Sequence, residues 1–415
     1  MNSWFYSFFY KKSIYIDGFV EPGYEAIKEA FEQNFLWGWE PEGASLAVYH
    51  SGKLIADLWG GYADKECRRI WKKDTISCAF SSTKAVAALC VALLVDKNLI
   101  RYDDKIVEFW PEFGKYGKEE ITVQWILSHL SGLAYFDVPI EEEDARDWKR
   151  MAKLIENEKP KWEPGTAVGY HAITYGWLVD QIIRRADPKN RSLAQFFKDE
   201  IQENSDFHIG LDPFQAYRVA RLKSPSVVQR ISEFCTNPKA INYIHIVKDL
   251  ATNGIFSKIE KNPEWFKFFK GEITLNNPDL FTLEQSGAFG IGNARSLAEI
   301  FQRAIFDRKV FKNAETLNRL TTPFTKERDM VTGVKHPRGQ GFCFIRYFHK
   351  SSGTLCQTIG HHGFGGQNIK FDLENELCFG YVSNGLKCGL GDNARTFEKL
   401  QHAIYDCVLL NKKHN

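Results

Sequence analysis

No C-x-x-C pair occurs in these 415 residues, and the cysteines (Cys67, Cys78, Cys90, Cys235, Cys343, Cys356, Cys378, Cys388 and Cys407) number nine, an odd count. That argues against a disulfide scaffold and against a zinc ribbon. Several cysteines sit in apolar runs, as Cys90 does in Ala87-Ala88-Leu89-Cys90-Val91, and read as small buried hydrophobes. Reduced thiols fit an intracellular compartment. An excess of one charge is also missing: 54 Lys+Arg against 52 Asp+Glu leave a net charge of +2. Without a long basic run there is no footprint for nucleic acid, and nothing indicates firm membrane association. No H-E-x-x-H exists, and neither Gly290-Ile291-Gly292 nor the stretch His361 to Gly366 makes a G-x-G-x-x-G dinucleotide loop. No apolar run is long enough to span a bilayer. Met1 to Tyr10 is aromatic-rich and followed by Lys11-Lys12. It reads as a tail or a truncated leader, with a short signal anchor as the alternative. One glycosylation triplet, Asn190-Arg191-Ser192, is what chance supplies in a chain this long. Internal repeats, low-complexity tracts and flexible linkers are absent.

What is present is enough to build a large core: 44% of residues are hydrophobic and 26% charged. Gly23 to Asn34 has an amphipathic helical pattern. Ser45 to Tyr49 and Leu54 to Trp59 flank the turn Ser51-Gly52 as a β-hairpin, with Gly60-Gly61 expected to stop the second strand. Ser82 to Val95 is apolar nearly all round, the pattern of a helix buried in the interior. Helical patterns follow at Ile121 to His129, Thr174 to Arg185, Leu193 to Ile201 and Ser296 to Ile305. The stretch Pro225 to Asp279 is broken by Asn237-Pro238 and Asn277-Pro278 and is expected to serve as a lid or a partner surface. After Gly339 the pattern turns to strands, at Gly341 to Tyr347, Cys356 to Ile359, Gln367 to Asp372 and Glu376 to Val382, and Thr396 to Leu410 closes as a helix. Strands at both ends with helices between predict an α/β (α+β) fold. Residues 1–19 are the tail and 20–415 a single domain. An α/β lobe takes about 20–80 and 335–415, and a mostly helical lobe of about 81–334 is inserted.

The chemistry concentrates in three places. The only S-x-x-K, Ser81-Ser82-Thr83-Lys84, opens the buried helix. A serine there lies near the positive end of the helix dipole, and a lysine three residues on shares its face. An apolar setting lowers the amine's pKa and lets it act as a base. The alternative is an N-cap serine with a snorkelling lysine. Tyr170 follows the turn Pro164-Gly165-Thr166 and is either a proton-sharing partner of the lysine or a buried aromatic. Gly360-His361-His362-Gly363-Phe364-Gly365-Gly366 allows close backbone approach and amide donors for an oxyanion, or is a glycine turn with surface histidines. Adjacent histidines on a strand face opposite ways, which argues against a metal there.

Together these stations resemble the serine β-lactamase and penicillin-binding-protein superfamily, whose signature is S-x-x-K, a tyrosine or serine motif, and K-T-G. The chain looks most like the class C-like, β-lactamase-related esterase branch, from about Gly18 to Tyr405. Trp110-Pro111-Glu112-Phe113 and Leu127-Ser128-His129-Leu130-Ser131-Gly132-Leu133 add to the likeness. The resemblance implies a β-lactamase/transpeptidase-like fold, with an antiparallel sheet flanked by helices. It implies that Ser81 is acylated, that Lys84 and Tyr170 share acid and base duty, and that the backbone N–H groups of Ser81 and Phe364 hold the oxyanion. His361, where the lactamases have the K-T-G lysine, and Gly363 are implied to bind substrate. No metal or organic cofactor is implied. Where lactamases have Y-x-N this chain reads Tyr170-His171-Ala172, and His361 is largely neutral near pH 7. Both departures favour a small neutral ester or amide as the partner molecule. His129 and His171 read as structural. Rival readings are a non-catalytic or filament-forming member of the fold, self-associating into an oligomer, and a D-amino-acid peptidase or β-lactamase.

Overall fold

The computed structural model describes residues 14–238, 240–268, 272–389 and 391–411. The N-terminal tail to residue 13 lies outside them, so the leader and anchor readings are not addressed by the structure.

Among the described residues there are twelve strands: β1 Ile16–Val20, β2 Gly43–His50, β3 Lys53–Asp64, β4 Arg69–Ile70, β5 Ser77–Cys78, β6 Phe207–Ile209, β7 Gly290–Gly292, β8 Arg338–Gly339, β9 Phe342–His349, β10 Thr354–His362, β11 Asn368–Asp372 and β12 Leu377–Ser383. The main antiparallel sheet runs β1-β3-β2-β12-β11-β10-β9-β8, with β4 on β3; β5-β7-β6 form a second, three-stranded sheet. The two ends of the chain meet where β2 pairs with β12, from His50↔Leu377 to Ala44↔Ser383.

Alternation along the strands sorts the two faces. Leu46, Val48, Leu377, Phe379 and Tyr381 point to one core, shared with α1 (Glu25–Leu36) and the C-terminal helix Arg395–Asn411. Ala47, Cys378 and Val382 point to the other. There α2 (Thr83–Asp96), α3 (Thr174–Ala186) and α4 (Ala294–Phe301) pack. In α2 every residue but Val95 is buried, so its amphipathicity is nearly lost.

The β2–β3 hairpin turns at Ser51 (φ 47°) and Gly52 (φ 80°), two left-handed residues whose twist matches the flanking strands. Gly60-Gly61 does not stop β3, contrary to the sequence reading; the strand runs on to Asp64. A Cβ at Gly61 would lie 2.1 Å from Glu42 O, and one at Gly60 2.8 Å from Tyr15 O. These glycines let neighbouring backbone close in rather than turning the chain. The stretch 225–279 holds helices Val227–Thr236, Tyr243–Thr252 and Ile255–Lys261.

Candidate active site

Ser81 sits in the short turn Phe80–Ser82, which joins β5 to α2. Phe80 holds a left-handed backbone (φ 44°), a conformation that costs a bulky residue about 1–2 kcal/mol. The surroundings fix it: the Phe80 ring is 5.3 Å from that of Phe268 and 5.6 Å from that of Phe364. The serine is no helix cap. Ser82 takes that position without a side-chain cap, and Thr83 Oγ1 instead donates to Phe80 O. Ser81 is left half-buried with its hydroxyl free for other partners.

One of those partners is Lys84, which is fully buried and so does not snorkel. Its Nζ lies 3.3 Å from Ser81 Oγ. It donates to Ala172 O at 2.7 Å and to Gly287 O. Carbonyl oxygens only accept, so both those directions carry N–H. The third direction faces Ser81. Burial, and then the Arg338 charge, hold the Lys84 pKa well below the ordinary lysine range. In the neutral amine the direction toward Ser81 is the lone pair.

The Tyr170 side chain hydrogen-bonds that of Ser81, and burial raises its pKa above the usual phenol range despite that bond. It is therefore a neutral phenol, not a standing tyrosinate. Lys84 Nζ is 4.8 Å from the Tyr170 ring centroid. Tyr170 N–H reaches Asp329 Oδ1 at 3.3 Å, and the same carboxylate accepts from Val331 N and Thr332 N, each at 2.9 Å. It also pairs with Arg338 at 3.0 Å, both side chains being almost wholly buried. Arg338 in turn lies 5.4 Å from the Tyr170 ring. His171, next along, is buried against Ser131 Oγ (2.9 Å), Leu133 N (3.1 Å) and Gly169 O (2.6 Å). His129 Nδ1 accepts from His171 N at 3.3 Å. Burial lowers the pKa of both imidazoles, that of His171 to about 3, and they act as fixed struts of this loop.

The end of β10 arrives from the other side. Ser82 Oγ donates to His361 O at 3.2 Å. Gly363 is a contact point: a Cβ there would lie 2.5 Å from Ala79 O, so only glycine lets the strand end meet the turn that carries Ser81. Its N–H donates to Gln367 O at 2.8 Å. What Gly363 offers the site is thus its missing side chain, not a free amide for substrate. Phe364 follows with its ring against Phe80 and Phe268, beside the Ser81 turn. The His361 and His362 rings do not point to opposite faces, as strand alternation predicts, but lie 5.5 Å apart; His361 is also 6.2 Å from the Tyr170 ring and His362 5.9 Å from that of His336. His361 is buried, and burial keeps its pKa well below the ordinary imidazole value. Its Nδ1 lies 2.7 Å from His362 O, which fixes the proton there and leaves Nε2 as a bare acceptor.

The structure thus brings Ser81, Lys84, Tyr170, His361, Gly363 and Phe364 together from three separate stretches. Sequence reasoning missed Arg338, Asp329 and the carbonyls of Ala172 and Gly287. Backbone acceptors leave no mark in a sequence, and an Asp and Arg nine positions apart match no motif. Phe268, its ring 6.0 Å from that of Phe266, brings the 225–279 stretch against Phe80 and Phe364 beside the Ser81 turn.

The Beta-lactamase family model matches residues 31–403. Esterase/beta-lactamase LipL of Mycobacterium tuberculosis is 27% identical over 382 residues, covering 89% of this chain and 83% of that protein. Among solved structures, a family VIII carboxylesterase superposes with a TM-score of 0.77 at 28% identity, over 95% of this chain and 100% of the other. A penicillin-binding protein homolog from Caulobacter crescentus gives the same TM-score of 0.77, identity of 28% and coverage of 95% and 100%. The antiparallel sheet flanked by helices is therefore the β-lactamase/transpeptidase fold.

Proposed function

The chain belongs to the Beta-lactamase family, and on that footing we propose that it is a serine hydrolase that cleaves small carboxylic esters or amides through an acyl-enzyme on Ser81. One observation carries the reading: a buried amine, tied by two carbonyls, with its remaining direction 3.3 Å from the serine oxygen. Ser81 Oγ attacks the acyl carbon while its proton passes to Lys84 Nζ. The N–H groups of Ser81 and Phe364 hold the oxyanion that forms. As the C–O or C–N bond breaks, the Tyr170 phenol hands its proton to the leaving group and is reprotonated from Lys84. Water then attacks the acyl-enzyme, with Lys84 and Tyr170 again moving its proton.

The names of the relatives, an esterase/beta-lactamase and a carboxylesterase, support an ester-cleaving role. So does the local chemistry. Ala172 offers no amide side chain, and His361 presents a neutral acceptor where a lysine would grip a carboxylate. A neutral acyl donor suits such a site better than an anionic lactam or peptide.

A fluorophosphonate probe is expected to label Ser81, and p-nitrophenyl esters of graded acyl length to be turned over. Ser81→Ala should lose both. Equal labelling or turnover in that variant sinks the reading, and cleavage confined to D-amino-acid peptides replaces it with a peptidase.

A further inference from the structure

The proposed chemistry leaves unused a cluster on the opposite face of the sheet. His349 closes β9, and its side chain is wholly buried. His402 and Asp406 stand one turn apart on the C-terminal helix, 41% and 29% exposed. His349 Nε2 is 3.0 Å from Asp406 Oδ1, and His402 Nε2 is 3.5 Å from Asp406 Oδ2. The two imidazole centroids are 4.8 Å apart. One ligand atom from each residue can be chosen so that all lie within 4.8 Å of one another.

We propose that His349, His402 and Asp406 form a binding site for a divalent transition-metal ion of the zinc class. Two imidazole nitrogens and a carboxylate oxygen are a donor set that zinc favours, with water or Ser351 Oγ, 3.4 Å from His402 Nε2, available for a fourth position. Bonds of about 2.0–2.2 Å require the ligands to close up somewhat, and exposed His402 has the room to move.

The surroundings hold His402 as a ligand needs to be held, and His349 in a tautomer that metal binding must exchange. The second nitrogen of a metal-bound histidine normally donates to a fixed acceptor. Here His402 Nδ1 lies 2.9 Å from the Tyr347 hydroxyl, and His349 Nδ1 lies 2.8 Å from Ser352 Oγ. Without metal, Ser352 N–H caps His349 Nδ1 at 3.3 Å, so the proton of that ring sits on Nε2 and faces Asp406. Metal binding exchanges one neutral tautomer for the other. Nε2 releases its proton, Nδ1 takes one up and donates it to Ser352 Oγ in exchange for the hydrogen bond from Ser352 N–H, and the charge of the ring is unchanged.

The ion would clasp the C-terminal helix to the β9–β10 hairpin. It would sit far from Ser81: His349 pairs with Thr354 at the hairpin end, whereas Gly360 pairs with Cys343 roughly 20 Å along the strand. The proposal is thus independent of the hydrolase reading.

Metal-stripped full-length protein, titrated with Co²⁺ and with Zn²⁺, tests it. Expected are visible Co²⁺ bands that saturate at a single ion, without the thiolate charge-transfer band a cysteine site gives, and a rise in Tm with Zn²⁺. His402→Ala, at an exposed position, and Asp406→Asn should lose both signals while keeping ester turnover. Tyr347→Phe, which keeps all three ligands, should weaken binding by about tenfold or more. If the parent takes up no Co²⁺, or if uptake and the Zn²⁺ shift survive in His402→Ala, the site does not exist.

Discussion

Lys84 is placed where the ammonium form is disfavoured and the amine is well satisfied. The pH dependence follows with a definite sign. A base works only when deprotonated, so kcat/KM should rise with pH through the Lys84 pKa, which burial sets well below 10.5. The rising limb should therefore lie well below pH 10.5, and any fall at high pH should lie above 10, where the raised Tyr170 phenol ionises. A rising limb near the ordinary lysine pKa in a p-nitrophenyl ester assay would refute the neutral-amine mechanism. Tyr170→Phe keeps the ring against His129 and His361 but removes the proton carrier. Its kcat should drop by about 10²–10⁴-fold with a far smaller change in KM.

At the scale of an element, the segment from Asp329 to Arg338 acts as a clasp on the Tyr170 loop. Asp329 gathers Tyr170 N–H, Val331 N–H and Thr332 N–H, and neutralises buried Arg338. Asp329→Ala leaves an uncompensated buried guanidinium and should cost about 3–5 kcal/mol, read as a lower urea midpoint. Asp329→Asn keeps the acceptor and should recover part of that loss. The end of β10 offers a contrasting test. In Gly363→Ala the new methyl meets Ala79 O and the Phe80 side chain, 2.5 and 3.2 Å away. The strand end must then retreat from the Ser81 turn. Turnover should suffer in proportion more than stability, which parallel kinetic and unfolding measurements on the same preparation would show.

For the whole molecule, buried neutral histidines set the acid limit. Burial lowers the His171 pKa from 6.5 to about 3, and His129 and His361 shift the same way. Between those values the unfolded chain binds protons that the folded chain does not, so stability rises with pH there. It should fall as pH drops from about 6.5 toward 3, and His171→Asn should flatten the slope of unfolding free energy against pH. An unchanged slope would mean that His171 is protonated inside the fold. No helix among the described residues is long and apolar enough to cross a membrane.

How much of this was legible follows range by range. The hairpin turn at Ser51-Gly52 and the alternation of β12 report on neighbours two residues away, and sequence carries that information directly. The adjacency of Ser81 and Lys84 was legible for the same reason: a three-residue spacing at a helix start fixes a shared face. Gly60-Gly61 misled because glycine marks a turn and a close backbone approach with the same letter. Tyr170, Asp329, Arg338 and the carbonyls of Ala172 and Gly287 reach the serine only through folding. The sequence by itself thus determined which alcohol and amine stand side by side. Only the tertiary structure decided that the charged form of the amine is disfavoured and that its remaining direction faces the alcohol. A lysine's protonation depends on how much water the rest of the chain removes from around it, and that shell is assembled from segments hundreds of residues apart.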